Sequence, residues 1–290
     1  MEGQLVPSNE QRRAAAKRKL ERQLENRAQR ARKRKQLTIA ASALGVVVAV
    51  AAGVGIYFLT KGDDNSTSAK ASETPDASLT AAPPPVAKAK AAQVNCTYRP
   101  SQKPADKPVN APGTANISTA GEVKATMDTS QGPITMTLNP GESPCTVNSF
   151  ESLAKQKFFD NTSCHRITTG KGLQVLQCGD PTGSGMGGPG YEFDNEYPTD
   201  QYDANDQAAQ FPVEYKRGVL AMANAGPGTN GSQFFLVYGD SQLPPQYTIF
   251  GTVDSAGLAT LDKIAQAGVA GGGQDGKPAA DVNIQSVQIN

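Results

Sequence analysis

The 290 residues contain no tryptophan and one histidine, His165. A single imidazole excludes zinc sites built on several histidines, and it leaves no Ser-His-Asp set anywhere away from position 165. The four cysteines, Cys96, Cys145, Cys164 and Cys178, show no C-x-x-C spacing, so no metal is expected. His165 follows Cys164 directly, but neighbours on a strand point to opposite faces, which makes a Cys-His dyad from this pair geometrically poor. A Gly183–Gly188 run matches G-x-G-x-x-G, yet Pro189-Gly190 follows it where a nucleotide site needs a helix N-terminus. It reads as a surface loop, and no cofactor is expected. Asp194 and Glu196, close by, read as solvated loop carboxylates with no catalytic role.

Net charge is also nearly absent, 28 Lys and Arg against 27 Asp and Glu, but its distribution is uneven. Residues 1–36 hold twelve basic and four acidic residues, a surplus of eight, which leaves the rest of a +1 chain near −7. This basic tail lacks aromatic stacking residues, so a place against anionic lipid head groups is expected and nucleic-acid binding is not. Leu37–Leu59 then runs for 23 residues without a charge, longer than the roughly 20 needed to cross a bilayer core. Its length exceeds the apolar part of a cleaved signal peptide, and Tyr57, Phe58 and Lys61 stand at its end as interfacial anchors. The Arg30–Lys35 cluster places the N-terminus in the cytoplasm. The expected protein is a single-pass signal-anchored protein of the cell membrane whose later residues lie outside.

Residues 60–120 are rich in Ala, Pro, Ser, Thr and Lys, with Pro83-Pro84-Pro85 and Pro100, Pro104, Pro108 and Pro112. Such a composition predicts a disordered linker, extended and semi-rigid, that buries no core. Residues 121–290 differ. Val123, Ala125 and Met127 alternate, Gln131-Gly132 supplies a turn, and Ile134, Met136 and Leu138 alternate again, which predicts a hairpin. Helical spacing appears over Pro144–Phe159 and again at Leu258, Leu261, Ile264 and Ala265. Strands are predicted over 162–168, 174–178, 219–223, 233–238, 248–253 and 282–289. Two helices with about eight strands predict a mainly β domain, a closed eight-stranded antiparallel barrel capped by the helices. Export makes oxidation of the cysteines plausible. Four cysteines allow three pairings, and the strand pattern leaves Cys164 free to meet either Cys178 or Cys145.

The richest segment is Met222-Ala223-Asn224-Ala225-Gly226-Pro227-Gly228-Thr229-Asn230-Gly231-Ser232-Gln233-Phe234-Phe235, where two apolar strands flank a loop of small residues. Its glycines permit close approach by a ligand backbone, while Asn224 and Gln233 offer donors and acceptors, a combination suited to holding a peptide. Together with Cys164-His165-Arg166-Ile167, Leu176-Gln177-Cys178-Gly179-Asp180 and Ile249-Phe250-Gly251-Thr252-Val253, it resembles the cyclophilin-type peptidyl-prolyl cis-trans isomerases over Val123–Ile289.

The resemblance implies an outward-facing groove in which Arg166 donates to the prolyl nitrogen and Gln177 orients it. Asn224, with Ala223 and Ala225, holds the residue before proline. Phe235 floors the proline pocket, with Val175 and Gln233 lining it. The barrier to X-Pro rotation, roughly 18 to 20 kcal/mol, comes from amide resonance, so tighter binding of the twisted amide suffices and no base or nucleophile is needed. Leu243 stands where many family members carry the tryptophan that touches cyclosporin, and Tyr247 where a groove histidine is common, so weak cyclosporin binding is expected. Between Arg166 and Gln177 the chain is about three residues longer than the common form, which leaves Leu173 and Gln174 near a pocket phenylalanine position without assigning either. The implied partners are proline-containing exported polypeptides. The alternative is a membrane-tethered proline-motif binding module or chaperone without catalysis.

Overall fold

Side-chain alternation builds the sheet, as a computed structural model of the chain shows for residues 81–203 and 205–290. The basic tail and the apolar run of 37–59 lie outside the described residues. Among the described residues, no helix is long and apolar enough to cross a membrane. Strands β1 (Val123–Thr129) and β2 (Gly132–Leu138) form the predicted hairpin, with Ala125, Met127, Ile134, Met136 and Leu138 turned inward. Helix α1 (Pro144–Lys155) buries Val147, Phe150 and Leu153 against the core. Next come β3 (Thr162–Ser163), β4 (Arg166–Gly170), β5 (Leu173–Cys178), β6 (Val219–Met222), β7 (Phe234–Gly239) and β8 (Ile249–Val253). Helix α2 (Ser255–Ala267), β9 (Asp275–Gly276) and β10 (Asn283–Ile289) complete the domain. Asp254 caps α2 by accepting from the Gly257 N–H at 2.8 Å. A Cβ on Gly257 would stand 3.0 Å from the Thr135 backbone, so glycine lets α2 pack directly on β2.

The ten strands pair antiparallel in the order β9-β4-β5-β7-β6-β8-β2-β1-β10-β3. Eight are four residues or longer, as the sequence predicts, but the sheet is a curled half-barrel, not a closed ladder. The strand expected over 162–168 is two strands. Thr162–Ser163 pairs with β10 at one end of the sheet, while Arg166–Gly170 pairs with β5 near the other. Between them the Cys164 N–H donates to the Val282 carbonyl, so Cys164-His165 carries the chain from one end to the other. A Cys164–Cys178 disulfide fastens this crossing to β5, and the second bridge joins Cys96 to Cys145, 49 residues apart.

That second bridge corrects the linker reading for residues 81–120; residues 60–80 of that segment lie outside the described residues. Residues 81–120 lie along the domain as an arm. Cys96 is buried, Gln93–Val94 pairs with Ile117–Ser118, and Arg99–Pro100 pairs with Tyr191–Glu192. The Tyr98 ring packs edge-on against Tyr191 and Phe193 at 5.6 Å, and its hydroxyl donates to the Cys145 carbonyl at 2.7 Å. Lys107 donates to the carbonyls of Lys157, Phe158 and Asp160. The arm has too few apolar residues for a core of its own; a disulfide, borrowed aromatic contacts and backbone pairing hold it in place instead.

Candidate active site

Strands β6 and β7 are almost continuously apolar because both of their faces are covered. Phe234, Leu236 and Tyr238 of β7 turn into the main core with Leu176, Leu220 and Phe250. The alternate residues Phe235 and Val237 turn outward, where Val175, Ala221, Ile249, Val213, Tyr197 and Tyr215 form a second apolar cluster. Partly buried Leu173, Ala223, Leu243 and Tyr247 pack on it. The Tyr247 ring stands edge-on to Phe235 at 5.8 Å, and the Tyr215 hydroxyl donates to the Tyr247 carbonyl at 2.9 Å. Val175, Ala223, Phe235, Leu243 and Tyr247 therefore meet around one apolar floor, with Phe235 at its base.

Register brings the polar residues to the same face. Arg166 pairs with Gln177, Gln177 with Phe235, and Phe235 with Ala221, a single row across four adjacent strands. Along that row a relay of amides fixes every orientation. Gln233 gives its Nε2 to the carbonyls of Gly185 and Gly187 at 3.1 and 3.0 Å, which leaves its Oε1 to accept from Gln177 Nε2 at 2.9 Å. Gln177 Oε1 must then face Arg166, and it accepts from Nη1 at 3.2 Å. On its other edge the guanidinium meets Asp275, Nε to Oδ1 and Nη2 to Oδ2, both at 2.7 Å. Three of its five N–H groups are thus engaged and two remain for a ligand.

Asn224 donates to the Gln246 carbonyl at 2.8 Å and accepts from the Gly226 N–H, while the Ala225 N–H donates to Thr229 Oγ1. These contacts hold the Ala223–Ala225 backbone as the groove's polar edge. Of the residues expected in the groove, Val175, Ala223, Phe235, Leu243 and Tyr247 meet in the apolar cluster, while Arg166, Gln177 and Gln233 form the amide relay and Asn224 and Ala225 the polar edge. Asp275 was not anticipated, because an acid on a two-residue strand after a glycine run carries no mark of its partner. The Gly183–Gly188 loop is a loop as expected, but its carbonyls anchor the relay. Gln174, left unassigned, donates its N–H to Ser241 Oγ, whereas Leu173 joins the apolar cluster.

Electrostatics match this division. The hydrogen-bonded Asp275 raises the Arg166 pKa, and Arg166 lowers that of Asp275. Burial holds the His165 imidazole below its ordinary value, and it makes no contact in the relay. Asp194 is exposed, in a forked pair with Arg99. Glu196 corrects its expected solvation. It is only 9 % exposed and accepts from the Cys145 and Thr146 N–H groups at 3.2 and 2.8 Å, capping α1, whose Ser143 makes no side-chain cap.

The site thus sets an oriented guanidinium beside an apolar floor. Residues 124–289 match the family model for cyclophilin type peptidyl-prolyl cis-trans isomerase/CLD. A protein of Mycobacterium tuberculosis called "Probable peptidyl-prolyl cis-trans isomerase B" is 58% identical over 292 residues, covering 98% of this chain and 95% of its own length. A Mycobacterium leprae protein of the same name is 61% identical over 198 residues, 68% of this chain and 67% of that one. "Peptidyl-prolyl cis-trans isomerase B" of Streptomyces anulatus is 36% identical, covering 59% of this chain and 98% of its own. The chain belongs to the cyclophilin-type family, and it is a peptidyl-prolyl cis-trans isomerase.

Proposed function

We propose that this isomerase works on exported polypeptides at the outer face of a membrane that its own N-terminal region crosses, and that Arg166 is the residue through which it lowers the rotation barrier. As the X-Pro bond twists, the prolyl nitrogen loses conjugation and gains a lone pair, to which a free N–H of Arg166 donates. Gln177 and Gln233 hold the guanidinium, Phe235 and Val175 seat the proline ring, and Ala223–Ala225 hold residue X. The carrying observation is the row of Arg166, Gln177 and Phe235 across adjacent strands. A donor and a proline floor share one face, and the donor has N–H groups to spare.

The chemistry needs the planar fork, so Arg166→Lys, which keeps the charge, loses at least about tenfold in rate in exchange NMR on an Ala-Pro peptide, roughly one lost transition-state hydrogen bond to a charged group. An unchanged rate contradicts the assignment. The outer-face reading rests on the uncharged Leu37–Leu59 after a basic tail, and two disulfides favour an oxidising compartment. Protease added to intact cells removes residues 81–290 from the full chain if that reading holds; full protection contradicts it. Leu243 offers the pocket edge less apolar surface than tryptophan, so Leu243→Trp tightens cyclosporin binding measured by calorimetry, and an unchanged affinity contradicts that reading.

A further inference from the structure

A cavity of about 540 Å³ adjoins the groove, lined by Gln177, Ala223, Asn224 and Gln233 and also by Ser101–Pro104 of the arm. The arm residues lie outside the family-matched stretch of 124–289. We propose that Ser101–Pro104 belong to the substrate site, walling the subsite that takes peptide residues N-terminal to X-Pro, and that the Lys103 ammonium gives it a preference for a carboxylate.

This wall is anchored on both sides of Lys103. Before it, Arg99–Pro100 pairs with Tyr191–Glu192, the Arg99 fork grips Asp194 and the Gly228 carbonyl, and Cys96 is tied to Cys145. The Ser101 N–H donates to the Gly190 carbonyl at 3.0 Å. After it, the Asp106 N–H donates to the Gly188 carbonyl at 3.1 Å, and Gly188 returns a bond to Asp106 Oδ2 at 2.9 Å. A segment held this way presents its side chains from a fixed place and loses little entropy when a peptide binds.

Charge sets the preference. Lys103 and Glu192 are the two charged residues of the lining, and Ser101 Oγ already donates to Glu192 Oε1. The Lys103 side chain is exposed and has no ion-pair partner among the described residues. The direction of the peptide rests on the groove reading above. Residue X lies on Ala223–Ala225, which also line the cavity, so the residues before X lead into it.

The test uses the full chain in detergent and peptides that differ only two positions before proline, Glu, Lys or Ala there, followed by exchange NMR. At low salt kcat/KM for the Glu peptide exceeds that for the Lys peptide by about two- to fivefold, the scale of one exposed ion pair. The ratio approaches one in Lys103→Ala, inverts in Lys103→Glu, and shrinks toward one at roughly 0.5 M salt. Because it is a ratio within each variant, the folded fraction cancels. A ratio unchanged between the parent and Lys103→Glu overturns the proposal. If Arg166→Ala keeps the parent rate on the Ala peptide, the groove reading fails instead, so the two failures are distinct.

Discussion

Arg166 and Asp275 are joined by two parallel hydrogen bonds of 2.7 Å, with side chains 38% and 56% exposed. A fork between exposed partners contributes little to folding, about 1 kcal/mol at most, yet it sets the plane of the guanidinium. Asp275→Asn therefore changes the unfolding free energy by less than about 1 kcal/mol while kcat/KM falls by about fivefold. Equal activity contradicts a positioning role. The pair also governs pH dependence. Hydrogen bonding pushes the Arg166 pKa up and the Asp275 pKa down, so neither group titrates near neutrality. Any stability Asp275 adds is present above its ordinary value of about 3.9 and is lost only as pH falls through its lowered folded value, and kcat/KM is flat between about pH 5 and 9. A bell-shaped profile inside that window contradicts the account.

The two disulfides separate structure from catalysis. Cys164 stands two residues before Arg166 and Cys178 directly after Gln177, whereas Cys96–Cys145 ties the arm to α1. By loop entropy the bridges stabilise by about 3 kcal/mol for 14 residues and about 4 kcal/mol for 49. Replacing Cys96 and Cys145 by serine lowers the melting temperature with little change in rate on a short neutral peptide. Replacing Cys164 and Cys178 lowers both, because the crossing that sets the start of β4 is released. Melting curves and exchange rates on the two double variants check this, and loss of rate in the Cys96/Cys145 variant alone contradicts it.

Glu196 gives a pH dependence of stability with the opposite sign to Asp275. Burial raises its pKa, with the Thr146 and Cys145 N–H bonds opposing. A raised carboxyl contributes stability that is fully present below the unfolded value of about 4.3 and is lost as pH rises through the folded value. Urea unfolding of the parent therefore shows stability declining relative to Glu196→Gln as pH rises from the unfolded carboxyl value of about 4.3. Parallel pH profiles for the two proteins contradict this assignment.

Alternation made the β1–β2 hairpin legible, and the long apolar run of β7 reads as a strand because it is covered on both faces. The expectation that Arg166, Gln177 and Phe235 share one groove came from the resemblance that four motifs carry, and the strand register sets these three in one row. What failed had local causes. Strand 162–168 carries no signal of its break at Cys164-His165, since the break comes from pairing with β10 and β5 at opposite ends of the sheet. The arm reads as a linker because its cohesion lies in Cys96, Tyr98 and backbone pairing; a cysteine and a tyrosine within a Pro/Ala-rich stretch were the available hint. Asp275, on the short β9, and Glu196, in a loop, have partners distant in the chain, which composition does not reveal.

The role of Arg166 is tested most directly by exchange NMR on an Ala-Pro peptide with the full chain and its Arg166→Ala variant, measuring rate and peptide affinity together. A residue that acts on the twisted amide leaves affinity within about threefold, because the apolar floor around Phe235 is intact, while the rate falls by about a hundredfold, the cost of a lost donor at developing charge. A variant that keeps the parent rate, or that loses rate only in proportion to affinity, contradicts the account.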